Sequence, residues 1–454
     1  MARFKPQKKR APQVRGQQSK RNAAVPSEPV TVVIDSLNHD GQGVSRSRDK
    51  VLFVEGALPG ETVDVQITQA QRSFDVGQIK QVISPSSERV EPPCEHYQRC
   101  GGCQLQHLAS ASQLGHKQAN LDQNLKRHLK LDQLPWQAPI ESAPFGYRRR
   151  ARLGVRYRNE QDQIIVGFRE QANKHLNDLD ACPVLLPELS ALIAPLKALI
   201  QGLQQKARVT QLELLKADVG PVVVLRHLKT LAEEDLSALK QWAQQADIIL
   251  WLQPDQPDGL HCLWPQPAPE LSYKVDSVPL RFEVRDFIQG NEVVNEHMVA
   301  QAMAWLNPQA HETVLDLFAG MGNFSLALAK RCKSVLAVEG DGAMVARLQD
   351  NSAANGLTNI DGMALNLSDP ELFGRLTKTD IILLDPPRAG AAELIPWLSR
   401  QKARILYVAC EPSALVRDAK GLLAAGYGIT KIGVMDMFPQ TRHVETMALF
   451  ERKK

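Results

Sequence analysis

Val314-Leu315-Asp316-Leu317-Phe318-Ala319-Gly320-Met321-Gly322-Asn323-Phe324 is the stretch on which the fold turns. An apolar run closes on Asp316, a G-x-G follows, and a helical pattern opens behind it. Further apolar runs at Val335–Val338, Ile381–Asp385, Ile405–Val408 and Met447–Phe450 alternate with helical segments to the end of the chain. That alternation predicts a doubly wound, Rossmann-like α/β domain over residues 285–454. Ligands of such sheets lie at the carboxyl ends of the strands, so those ends are where chemistry is expected.

Gly320 and Gly322 allow close backbone approach to a ligand. The third glycine of a pyrophosphate-binding fingerprint is missing. The next strand ends in Val338-Glu339-Gly340, which places Glu339 to hold ribose hydroxyls. Together these features favour S-adenosyl-L-methionine over NAD. Asp385-Pro386-Pro387-Arg388 ends a third strand. Enzymes that methylate exocyclic amines carry an aromatic residue where Arg388 stands, which argues against an amine target.

A fourth strand ends in Val408-Ala409-Cys410-Glu411-Pro412, and Glu445 opens the last one. A thiol and a carboxylate are what methylation of a pyrimidine carbon requires. C5 of uracil is a poor nucleophile. Thiolate addition to C6 makes it enolate-like, and a base must then remove the C5 proton so that the thiol can leave. His443 competes with Glu445 as the base. The target nucleotide must be flipped out of its stack or loop.

The 454 residues carry 54 Lys+Arg and 50 Asp+Glu, a net charge of +4. Residues 1–21 hold eight basic side chains and no acid, so the other 433 residues carry −4. The composition predicts a disordered basic arm over 1–28. Residues 29–87 read as a small all-β, OB-like barrel, with short strands near Val30–Ile34, Val51–Val54, Val63–Ile67 and Gly77–Ile83. Residues 88–284 read as an α+β domain with a helix near Gln113–Lys130 and another near Glu188–Leu203. Without a secretory signal or a long apolar span, the expectation is a cytoplasmic protein that does not enter a membrane.

Two further constellations stand out. Cys94-x5-Cys100-Gly101-Gly102-Cys103 is followed, after 78 residues, by Cys182-Pro183. Four such thiols suit an iron–sulfur cluster or a structural Zn. Six arginines fall between Tyr147 and Arg158 (Arg148, Arg149, Arg150, Arg152, Arg156 and Arg158) with no acid among them. Their proximity to tyrosines predicts contact with RNA phosphates.

Taken together, these motifs over residues 29–454 resemble the uracil-C5 RNA methyltransferases. The resemblance implies three parts: an N-terminal TRAM domain, a central iron–sulfur domain and a C-terminal S-adenosylmethionine domain. It implies that Cys94, Cys100, Cys103 and Cys182 bind a [4Fe-4S] cluster. Gln289, Phe318, Asn323, Glu339, Asn366 and Asp385 would bind S-adenosylmethionine, Cys410 would be the nucleophile and Glu445 the base. It also implies a monomer whose partner is a uridine of 23S ribosomal RNA, with another ribosomal or transfer RNA uridine as the alternative. The family usually reads Ser-Cys-Asn-Pro at the nucleophile. Here Ala409-Cys410-Glu411-Pro412 sets a carboxylate beside the thiol, which is expected to raise its pKa. From another class, an RNA-binding redox sensor with an inactive α/β domain would share the cysteines but not need the intact catalytic set.

Overall fold

The computed structural model describes residues 28–171, 173–256 and 259–453. The basic arm expected over 1–28 falls almost wholly outside them. The described residues divide into two compact units, 28–38 with 42–86, and 39–41 with those that follow residue 86.

The first unit is one six-stranded sheet, ordered Val30–Val33, Thr62–Ala70, Phe74–Ser84, Val51–Glu55, Gly43–Ser45, Ser36–Leu37. All neighbours are antiparallel except Val51–Glu55 with Phe74–Ser84. Alternation sends Val63, Val65 and Ile67 to one face, where they meet Val32, Ile34, Leu52 and Val54. Gly77 is needed there, since a Cβ would stand 2.3 Å from Val65 Cγ1. The two short strands had no apolar run to announce them.

Within the second unit, residues 150–264 form a six-stranded sheet, ordered His261–Trp264, Ile249–Pro254, Gly220–His227, Val209–Ala217, Arg150–Arg158, Gln163–Gly167. Its single parallel pair, Gly220–His227 with Ile249–Pro254, is joined by the helix Glu233–Gln245. The helix expected over Glu188–Leu203 is broken into Pro187–Ser190 and Ile193–Gly202. Pro195 is the physical reason. It has no N–H for the Ala191 carbonyl, so the helix must restart just before it. Leu196 and Leu203 are buried and Leu192 and Leu199 pack at the rim, with Ile193 and Ile200 completing the core.

The C-terminal sheet has seven strands, ordered Ile360–Ala364, Ser334–Glu339, Thr313–Leu317, Ile381–Leu384, Arg404–Ala409, Glu445–Arg452, Tyr427–Met435. The first five are parallel; Glu445–Arg452 is antiparallel to both its neighbours. The long helix Ser110–Leu129 packs on this domain. Leu114, Leu121 and Leu125 recur at helical spacing and enter the same core as Leu317, Leu384 and Tyr407. Bridges from Trp136 to Ile432 and from Ile140 to Met435 carry the following segment along the sheet edge. Among the described residues no helix is long and apolar enough to cross a membrane.

Candidate active site

Parallel strands bring their carboxyl ends to one edge of the sheet, and backbone hydrogen bonds lock those ends together. Ala319 N–H donates to Val338 O (3.1 Å), Leu365 N–H to Glu339 O (2.9 Å) and Asp385 N–H to Leu317 O (3.3 Å). The glycine motif turns sharply above the first strand. Phe318 sits at φ +63°, an unfavourable conformation for an aromatic residue and one that marks functional turns. Gly322, at φ +104°, has no room for a Cβ, which would stand 2.2 Å from Leu326 Cδ1.

Glu339 clasps this turn. One carboxylate oxygen accepts from Gly320 N–H (3.0 Å) and the other from Gly340 N–H (2.7 Å) and Asp341 N–H (3.2 Å). Asp316 lies beneath, 1 % exposed. Its Oδ2 accepts from Ser325 Oγ, while Oδ1 has no partner among the described residues. Burial pushes its carboxyl up to about 7, with Asp385 and Glu339 adding repulsion. Burial likewise pushes Asp385 up to about 7.

The thiol and the expected base meet across a strand pair. Val408 faces Met447 and Ala409 faces Thr446. One further step in that antiparallel register sets Cys410 opposite Glu445. Burial pushes Glu445 up to about 8, with Asp385 next in effect. Cys410 is pushed up to about 11 by burial, then by Glu445 and Asp385, while the Arg388 guanidinium pulls it down. Glu411, expected to raise the thiol pKa, is not what does so. Its carboxylate turns away to cap the helix Pro412–Ala424, accepting from Ser413 N–H (3.3 Å) and Oγ (2.9 Å). The sequence reading missed Arg388 as the cation of this cluster. Its place just past the Ile381–Leu384 strand, three residues after Asp385, was the available signal.

The remaining expected residues are more scattered. Asn366 is exposed just beyond the Ile360–Ala364 strand, its side chain accepting from Ser368 N–H (3.0 Å). Gln289 precedes the helix Glu292–Leu306, and its backbone carbonyl accepts from Arg149 Nε (2.8 Å). Asn323 exchanges two 3.0 Å amide hydrogen bonds with Asn295 on that helix and accepts from Tyr273 Oη (3.4 Å).

The arginine run is split by the tertiary structure. Arg149 is 1 % exposed, stacked 4.1 Å from the Tyr273 ring centroid. Arg150 ties Glu213 (2.6 Å) to the Val284 and Asp286 carbonyls. Arg148 lies over Phe438. Only Arg152, Arg156 and Arg158 present an exposed face. The expected RNA-contacting stretch therefore shrinks to three residues. Its first half holds the central sheet to the loop before Glu292–Leu306.

The four expected cluster cysteines converge from two segments. Burial raises the pKa of each thiol, Cys103 to about 12, and charges on the others raise Cys100 and Cys103 further. Gly102 N–H donates to Cys100 Sγ (3.5 Å). Gly101 packs against Arg169 O, which a Cβ would approach to 3.0 Å. Among the described residues no three His, Cys, Asp or Glu side chains stand close enough to hold a single metal ion.

A seven-stranded sheet with a final antiparallel hairpin and a glycine turn above the Thr313–Leu317 strand defines a methyltransferase of the S-adenosylmethionine-dependent class. Residues 109–453 match the tRNA (Uracil-5-)-methyltransferase family, and residues 28–80 match the TRAM domain. The chain belongs to that methyltransferase family. It is 42% identical over 444 residues to the 23S rRNA (uracil(1939)-C(5))-methyltransferase RlmD of Hahella chejuensis, covering 96% of this chain and 100% of the relative. It is 43% identical over 430 residues to the enzyme of the same name from Pectobacterium atrosepticum, covering 94% of each. Among solved structures, the Pyrococcus abyssi tRNA (uracil-54, C5)-methyltransferase in complex with S-adenosyl-L-homocysteine shares the fold. The TM-score is 0.72 at 24% identity, covering 93% of this chain and 100% of that one.

Proposed function

We propose that this protein transfers a methyl group from S-adenosylmethionine to C5 of a uridine in 23S ribosomal RNA, the uracil 1939 of its relatives' names. The observation that carries this reading is the Ala409–Thr446 pairing, which brings the residues flanking it, Cys410 and Glu445, near enough for the Glu445 charge to act on the thiol at the strand edge bearing the glycine turn. S-adenosylmethionine supplies the methyl group. Phe318, Glu339 and Asp385 line its site at the strand ends, with Gln289, Asn323 and Asn366 at the margins. Cys410 adds to C6 of a flipped-out uridine, helped to its thiolate by Arg388 and the N-terminus of Pro412–Ala424. Glu445, more basic than an ordinary carboxylate, takes the C5 proton, and the Sγ–C6 bond then breaks. The test is transfer of labelled methyl to unmodified 23S RNA, with 5-methyluridine mapped in cells lacking the protein. Unchanged 5-methyluridine in those cells overturns the reading.

The exposed Arg152, Arg156 and Arg158 contribute phosphate contacts. Replacing all three by Gln is expected to weaken RNA binding and to flatten its salt dependence by about 3 in slope at most. Titration of binding against salt checks this, and an unchanged slope returns them to a solvated face.

The same reading assigns Cys94, Cys100, Cys103 and Cys182 to a [4Fe-4S] cluster. Four partly buried thiols gathered within reach of one another's charge, with Gly102 N–H already aimed at Cys100 Sγ, suit a cationic centre. When bound, the cluster cross-links the Cys94–Cys103 loop to Cys182, a structural role. Anaerobic protein is expected to be brown, with about four iron and four sulfide per chain. A colourless preparation holding one Zn overturns the assignment.

A further inference from the structure

The loop between Tyr427–Met435 and Glu445 is held from outside the methyltransferase domain, and one residue takes most of the hold. Gln440 is 1 % exposed and sits at φ +68°, a conformation a side-chain-bearing residue keeps only when its surroundings impose it. Its carbonyl accepts from Gln104 N–H (2.9 Å) and Leu105 N–H (3.0 Å), the two residues after Cys103. Its N–H donates to Gln113 Oε1 (3.0 Å), and its Oε1 accepts from Gln113 Nε2 (2.9 Å). Its Nε2 donates to Ser110 Oγ (3.0 Å).

Gln113 also donates to Leu105 O (3.0 Å), so cysteine loop, helix and Gln440 form one buried network. On the far side the chain runs through Thr441, whose hydroxyl bonds Phe438 O (2.7 Å) and receives His443 N–H (3.3 Å), and four residues after Thr441 it reaches Glu445. Two outer contacts pin the same loop: Lys117 to Asp436 (2.8 Å) and Tyr147 Oη to Pro439 O (2.9 Å).

We propose that Gln440 is a positioning residue for Glu445, and that it makes the order of the cysteine loop a condition for proton removal in the active site. This rests on the functional reading above. A network of fully satisfied buried amides has one low-energy arrangement. Freeing the Gln104–Leu105 N–H groups would leave Gln440 O unpaired and the strained φ unsupported. The loop would then relax at the end that carries the base.

The test uses the full-length holoprotein. Gln440→Gly keeps φ +68° accessible but removes the amide, and Gln113→Ala removes the partner. Hydrogen exchange across 441–446 is followed, with the Thr313–Leu317 strand as the folded reference, alongside formation and decay of the covalent RNA adduct. Both variants are expected to lose about tenfold protection over 441–446. Adduct decay should slow on the order of 10- to 100-fold, as for a misplaced base, while adduct formation stays closer to normal. Cys103→Ser, which breaks the thiol set whatever it binds, should raise exchange over the same residues and have no further effect in Gln440→Gly. Normal protection and normal adduct decay in folded Gln440→Gly overturn the proposal, as does Cys103→Ser that leaves 441–446 protected. Absence of any adduct in the unaltered protein overturns the functional reading instead, and the exchange measurements still decide the clamp.

Discussion

Cys410→Ala is expected to abolish methyl transfer and the covalent RNA adduct together, a loss on the order of 10⁴-fold or more. The thiol does what no neighbour can. Asp385 and Glu445 are carboxylates, pushed up to about 7 and 8, and neither is a competent nucleophile toward C6 of uracil. The substitution should not unfold the domain. Cys410 lies just past the end of its strand, beyond the ladder that holds Ala409 to Thr446. Normal turnover by Cys410→Ala would sink the mechanism.

Glu445→Gln is expected to separate the two halves of the reaction. Addition and methyl transfer proceed, but without a base at C5 the methylated RNA stays bound through sulfur. Turnover falls about 10²- to 10⁴-fold while adduct accumulates on denaturing gels. In the unaltered protein, adduct release should speed up as pH rises to about 8, where Glu445 becomes the carboxylate, and the Gln variant should lack that limb. Stability moves the other way. The folded pKa of about 8 lies above the unfolded value near 4.5, so between those pH values the unfolded state releases a proton that the folded state keeps. That contribution to stability is full below about pH 4.5 and is lost as pH rises through about 8. Glu445→Gln should therefore gain melting temperature relative to the parent across this window, with little difference at pH 4.5. Rapid adduct release by the variant would assign the base elsewhere.

The parts of the fold that could be read from the sequence are those whose strands are buried on both faces. Thr313–Leu317, Ile381–Leu384 and Arg404–Ala409 are near-continuous apolar runs because helices cover both sides of a parallel sheet. Ile360–Ala364 escaped notice because it is an edge strand, half exposed, with Asp361 and Gly362 inside it. Tyr427–Met435 escaped for a related reason, since Gly428, Lys431 and Gly433 interrupt its apolar pattern. The candidate site residues were legible where they stand at a strand end. Glu339, Asp385 and Cys410 each follow an apolar run directly, and the doubly wound topology makes those ends converge.

The arginine run marks the limit of that reading. Arg149 and Arg156 are alike as letters, yet one is buried against Tyr273 and the other faces water. Glu411 repeats the point. Adjacency in sequence made it a neighbour of the thiol, but the start of a helix claimed its carboxylate. By itself the sequence determined the α/β class, the strand ends at which the candidate site lies, the thiol and carboxylate proposed for it, and the spacing of the four cysteines. These follow from local apolar periodicity and from residue chemistry. Only the tertiary structure decided which charges are buried, what perturbs the thiol, and that Gln440 joins the cysteine loop to the strand bearing Glu445. Those depend on contacts between residues far apart in the sequence, Arg149 with Tyr273 and Gln113 with Gln440 among them, and no local pattern encodes a contact of that kind.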